Sequence, residues 1–195
     1  MKRQSSEIKH STGTVVFDLE TNGLLRDATK IHCIVLHWIE SNLTEVFNDE
    51  PYAKNPKDLP MSSNYSITTA LSQLEVADTV IGHNIIGFDI PVIQKLYPYF
   101  RVSGTIVDTL LLSRLYHPNL FDIDKNRNWK HMPLQLYGKH SLESYGYRLG
   151  EYKGSFAKNT DWQEWSQEMQ DYCIQDVVVT NKLCNHFLPY LNGSR

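Results

Sequence analysis

The chain of 195 residues is long enough for one substantial hydrophobic core and too short for two of ordinary size. Its 19 Lys and Arg against 22 Asp and Glu leave a formal charge of −3. That balance argues against a domain holding nucleic acid by bulk positive charge, though not against an enzyme that meets it locally through acidic residues covered by cations. The three cysteines, Cys33, Cys173 and Cys184, are odd in number and lack C-x-x-C spacing, so neither a disulfide framework nor a cysteine zinc site is expected, and a reducing cytoplasm is the default setting.

Residues 1–12 are polar, expected to be flexible, and without the apolar segment of a secretory signal. Thr14–Glu20 is β-branched and then alternating, which predicts a strand ending at the turn-forming Asn22-Gly23. Further strands are predicted at Ile31–Ile39 and Leu43–Phe47, separated by polar Glu40-Ser41-Asn42, so the first three strands form an antiparallel meander. No apolar stretch approaches the roughly 20 residues of a membrane span, so no membrane contact is expected. Pro51, Pro56 and Pro60 mark Asn48–Ser63 as a surface loop. Ile67, Leu71 and Leu74 predict a helix over Ser66–Ala77, and Thr79–His83 reads as a short buried strand. Helices follow over Ile90–Leu96 and Asp108–Tyr116, the second capped by Asp108. Residues 118–139 are polar and weakly periodic, and read as a long loop or insertion. Short and long helices are then predicted over Ser141–Leu149 and Ser166–Leu188. Strands followed by helices alternating with short strands predict one α/β layered domain over residues 13–190.

Three segments carry chemistry. Asp18 and Glu20, two apart in a strand, point to the same face. Flanked by apolar residues, they repel each other and lose hydration unless something compensates; a divalent cation with hard oxygen ligands would do so, as would solvent at a strand end. In the second segment, Gly82 to Asp89, a buried strand runs through an Asn- and Gly-containing turn to a carboxylate at a helix start. Asp89 there could be a cap, Asn84 a turn former, and His83 a hydrogen-bonded structural residue. In the third, Tyr172 and Asp176 are four apart on a helix and share a face, with Asp176 beside the apolar stripe, where it needs a partner.

Together, Phe17-Asp18-Leu19-Glu20-Thr21-Asn22-Gly23-Leu24, Asn84-x-x-x-Phe88-Asp89 and Tyr172-x-x-x-Asp176 resemble the three motifs of the DEDD 3′–5′ exonuclease superfamily. The tyrosine points to its DEDDy branch. The segments Thr29–Cys33, Asp108–Leu115, His140–Gly150 and Gln175–Thr180 are further similar to the proofreading exonuclease domain of family A replicative DNA polymerases of short-tailed bacteriophages. The similarity spans roughly residues 13–190 and ends where a polymerase domain would begin, which leaves a stand-alone exonuclease, a subunit of a split polymerase and an excised domain as the readings. It implies a ribonuclease H-like layered domain, its central mixed sheet built from an antiparallel meander plus parallel strands and flanked by helices.

The same resemblance implies that Asp18, Glu20, Asp89 and Asp176 hold two divalent cations, Mg²⁺ or Mn²⁺, roughly 3.5–4 Å apart across the scissile phosphate. Tyr172 would orient the attacking water, and the 3′ end would lose nucleoside 5′-monophosphates. Thr21 and Leu24 would contact the terminal nucleotide, with Asn84 and Phe88 beside it. The basic and aromatic residues Lys125, Arg127, Trp129, Lys130, Tyr137 and Lys139 could track a single strand or simply be solvated, and Arg148 and Lys153 are similar candidates. The expected partners are single-stranded DNA 3′ ends, with RNA as the alternative substrate in the manner of ribonuclease D, and a separate DNA polymerase polypeptide. The expected setting is cytoplasmic, a host cytoplasm if phage-encoded. A catalytically silent nucleic-acid-binding subunit is the reading from another class.

Overall fold

The computed structural model describes residues 13–50, 66–127, 129–151 and 161–194. The flexible N-terminus expected at 1–12, the proline-bearing part of the Asn48–Ser63 loop and Lys153 lie outside the described residues. Strands β1 (Thr14–Thr21), β2 (Ile31–Trp38) and β3 (Leu43–Phe47) form the predicted antiparallel meander. Helix α1 (Ile67–Val76) leads to β4 (Thr79–Gly82), which lies parallel to β1. Helix α2 (Asp89–Leu96) then crosses to β5 (Thr105–Asp108), parallel to β4. The five-stranded sheet has the order β3-β2-β1-β4-β5, and is mixed, as expected.

Alternation along the strands divides the core into two layers. Val15, Phe17, Ile34, Leu36 and Val80 face α1 and α2, packing on Leu71, Leu74, Val92 and Ile93. Val16, Cys33, Val35 and Ile81 face the opposite side and pack on Cys173, Val177 and Cys184 of the long helix α6 (Gln167–Leu191). Because Asp18 and Glu20 continue the parity of Val16, they emerge on the α6 side. The far side of α6 packs Val179, Leu183 and Phe187 on Leu120, Leu142 and Tyr145. Those residues come from α4 (Leu120–Lys125) and α5 (Leu142–Leu149), with α3 (Thr109–Tyr116) alongside. Ser141 and Ser166 cap α5 and α6 through their hydroxyls.

Two elements depart from the sequence reading. The sequence reading assigns Asp108 as a helix cap and no element to residues 105–107, yet Thr105–Asp108 forms edge strand β5. Residues 118–139 were read as a loop, but contain α4 and a single 3₁₀ turn at Leu134–Leu136. The cause is a buried ion pair. Asp124 accepts hydrogen bonds from Arg148 Nε at 3.0 Å and Nη2 at 2.6 Å. It also accepts from the Gly138 N–H at 2.8 Å and from Trp129 Nε1 at 3.2 Å. One carboxylate thus ties α4 to α5 and to the connecting segment, and it places Arg148, a candidate for tracking substrate, inside the protein. Among the described residues no helix is long and apolar enough to cross a membrane.

Candidate functional site

The site forms where the C-terminal end of β1 meets the start of α2 and the first turns of α6. Asp18 and Glu20 leave β1 just before a register shift at Glu20/Thr21, where Glu20 opposes Cys33 and Thr21 opposes Ile31. Such an irregularity re-aims side chains at a strand end. The following loop is held by Asn22, whose Oδ1 accepts from the Thr29 and Lys30 N–H groups at 2.9 and 3.0 Å.

Asp89 is delivered by the turn after β4. Asn84 takes the left-handed conformation, with φ of 65°, and its carbonyl accepts from the N–H groups of Gly87 and Phe88. Gly82 is required by close approach: a Cβ there would lie 2.1 Å from Ile85 Cγ2 and 3.0 Å from Phe17 O. Asp108 does cap α3, accepting from Leu110 N–H at 2.9 Å. It also pins the turn, accepting from Asn84 N–H at 2.9 Å and Ile86 N–H at 3.1 Å. That second role was not visible in the sequence. His83 Nδ1 lies 2.9 Å from Thr109 Oγ1, a structural contact of the kind expected.

The four carboxylates converge. Burial, then the charges of Asp18, Cys33, Asp176 and Asp89, push the Glu20 carboxyl well above the usual range. Asp89 is 3% exposed; burial, with smaller contributions from Asp108 and Asp176, pushes its carboxyl up to about 7 against opposing hydrogen bonds from its own backbone and that of Leu19. The Leu19 contact sets Asp89 against the end of β1. Asp89 Oδ1 is buried with no hydrogen-bond partner among the described residues. Asp176 is 7% exposed. Burial, then Asp176, Glu20 and Asp18, raise the Tyr172 phenol above its ordinary range, so it stays protonated at any physiological pH. Hard oxygen donors, mutual repulsion and an unsatisfied buried carboxylate oxygen are what a site for divalent cations such as Mg²⁺ or Mn²⁺ requires.

Beside this cluster is a cavity of about 310 Å³ lined by Glu20, Thr21, Asn22, Gly23, Leu24, Phe88, Trp162 and Gln163. Of the nucleotide-contact candidates, Thr21, Leu24 and Phe88 line it, while Asn84 is exposed and does not. Thr21 is buried and donates its hydroxyl to Gly23 O at 2.7 Å, whereas Leu24 is 77% exposed at the mouth. Trp162 and Gln163 were missed by sequence reasoning, because they fall in a polar, aperiodic stretch ahead of α6. Gln163 Nε2 donates to Asn22 O at 3.0 Å. Buried His32 on β2 donates from Nε2 to Trp162 O at 3.0 Å, and the Trp162 ring stands edge-on to Tyr172 at 6.5 Å. Cys173, treated in the sequence only as part of the helix stripe, places Sγ 3.6 Å from Asp18 Oδ2.

The chain is 32% identical over 199 residues to the DNA-directed DNA polymerase of Escherichia phage T7, and 30% identical over 197 residues to that of Enterobacteria phage T3. Each match covers 89% of this chain and 26% of the relative, so the chain spans about a quarter of the length of these curated relatives. Among solved structures, Brucella melitensis NrnC superposes with a TM-score of 0.60 at 16% identity, covering 95% of this chain and 78% of that one. NrnC with bound Mg²⁺ gives 0.57 at 18%, covering 95% and 76%. Residues 15–188 match the RNase_H superfamily, which together with the mixed sheet and its helical layers establishes that the chain belongs to this superfamily.

Proposed function

We propose that this protein is a metal-dependent 3′–5′ exodeoxyribonuclease of the proofreading type, removing nucleoside 5′-monophosphates from single-stranded or frayed DNA 3′ ends. The observation that carries the reading is the convergence of Asp18, Glu20, Asp89 and Asp176, with Tyr172 beside them, at the edge of a cavity of about 310 Å³. The four carboxylates are the ligands of two divalent cations. When bound, such ions supply Lewis acidity and neutralise charge on the phosphoryl group under attack.

The chain's own groups do the rest. Tyr172, held neutral, orients the attacking water by hydrogen bond and does not take its proton. Leu24 and Phe88 offer apolar surface to the terminal base, and Trp162 closes the cavity from the α6 side. None of these contacts reads base identity, in keeping with a substrate of any sequence. Identity to phage DNA polymerases favours DNA. The fold likeness to NrnC, one structure of which is bound to pGG, supports RNA as the second substrate reading.

The test is a gel time course on 5′-labelled DNA and RNA oligonucleotides of one sequence, with Mg²⁺, Mn²⁺ or EDTA. A metal-dependent ladder shortening from the 3′ end, faster on DNA, is expected. Asp18→Ala with Glu20→Ala should abolish it while the protein stays folded. Near-normal turnover in that double variant would sink the site assignment.

A further inference from the structure

The carboxylates at the end of β1 do not face oxygen donors alone. Cys173, on the first turns of α6, is fully buried against the sheet. The ligand atoms of Asp18, Glu20 and Cys173 all lie within 4.8 Å of one another. A tetrahedral ion with metal–sulfur distances of about 2.3 Å and metal–oxygen distances of about 2.0–2.2 Å holds sulfur and oxygen about 3.5–3.6 Å apart. The Cys173 Sγ to Asp18 Oδ2 separation is already 3.6 Å. A second observation points to a ligand here. Among the described residues Asp89 Oδ1 is buried without a hydrogen-bond partner, and the Asp89 charge is one of those that raise the Glu20 carboxyl.

We propose that Cys173 is a metal ligand that gives this site a soft face. Thiophilic divalent ions, the class of Zn²⁺, Co²⁺ and Cd²⁺, are held by Asp18, Glu20 and the Cys173 sulfur, whereas Mg²⁺, which prefers oxygen, uses the carboxylates. The proposal rests on the reading of Asp18 and Glu20 as metal ligands. On coordination the thiol proton leaves to solvent and a metal–sulfur bond replaces the S–H bond, with no change in oxidation state. The functional consequence is metal discrimination. Traces of a thiophilic ion compete for the seat of the hard ion, and Cys173 sets how strongly.

Co²⁺ reports sulfur ligation by absorbance and its affinity by calorimetry, independently of turnover. Titrated into the metal-free protein, it should produce a near-ultraviolet thiolate-to-metal charge-transfer band in the parent chain. The same band should persist in Cys33→Ala, the control for the neighbouring thiol that hydrogen-bonds Cys173. It should vanish in Cys173→Ala. That variant should still bind Co²⁺, at least about tenfold more weakly, with Mg²⁺ affinity changed by less than about twofold. Cadmium NMR of the parent chain reads the same sulfur directly and needs no variant to fold. Co²⁺ heats without the band, lost in Asp18→Ala with Glu20→Ala, would overturn the role of Cys173 and leave the carboxylate site standing. A band that survives Cys173→Ala would overturn it equally. Absence of any heat dependent on Asp18 and Glu20 would overturn both readings.

Discussion

Replacing Asp89 by asparagine should stabilise the metal-free protein at high pH and have little effect at low pH. The Asp89 carboxyl ionises near 3.8 in the unfolded chain and at about 7 in the fold, chiefly because it is buried. Below about pH 4 both states keep the proton, and the contribution to stability is fully present. As pH rises the unfolded chain releases its proton first, so stability falls by about 1.4 kcal/mol per unit until the folded group ionises as well. Over roughly three units the loss is about 4 kcal/mol. Asparagine has no proton to lose. At about pH 8 the variant should therefore gain about 2–4 kcal/mol, the lower figure allowing for an amide that must find an acceptor. For a chain of this size that is a Tm rise of roughly 4–16 °C. Thermal or urea unfolding in EDTA across this pH range measures it. Mg²⁺ should stabilise the parent chain at high pH and the variant much less. An effect of equal size and sign at both pH extremes would refute the reasoning, since Asp89 would then be an ordinary packed residue and not a suppressed charge.

Tyr172→Phe should keep the fold and metal affinity and slow hydrolysis by roughly 10–100-fold, the value of positioning and hydrogen bonding to the nucleophile; single-turnover kinetics with a parallel metal titration separates this from loss of metal. Arg148→Ala should cost about 3–5 kcal/mol by urea unfolding, because it strands the fully buried Asp124 carboxylate. Arg148→Met with Asp124→Leu should cost less than the single change, and a double cost equal to the sum of the two single costs would mean the pair is not coupled. Burial alone would raise the Asp124 carboxyl, but hydrogen bonds from Arg148 and the Gly138 N–H outweigh it and hold the carboxyl below its usual range. Its stabilisation is therefore present above the ordinary carboxylate range and lost as pH falls through the folded value, a loss the double variant should lack.

The meander, α1, α5 and α6 were legible because each is specified by neighbours in sequence: a period of two with a polar turn, or apolar residues at a period near 3.6. The order Asp18–Glu20, Asp89, Tyr172–Asp176 was legible as three spaced motifs. Strand β5 was not, since Thr105 to Asp108 offers four residues without alternation and becomes a strand only by pairing with β4. Helix α4 was hidden for the same kind of reason, its buried face being organised by Asp124 and its partner 24 residues away, Arg148.

By itself, then, the sequence determined which residues carry charge, which faces they share within an element, and where most elements begin. Tertiary structure decided what stands against those faces. It brought Cys173 to Asp18 across 155 residues, gave Asp108 a turn to pin as well as a helix to cap, and closed the cavity with Trp162 anchored on His32, 130 residues away. Periodicity records whether a residue is buried, and each of these contacts depends on what it is buried against.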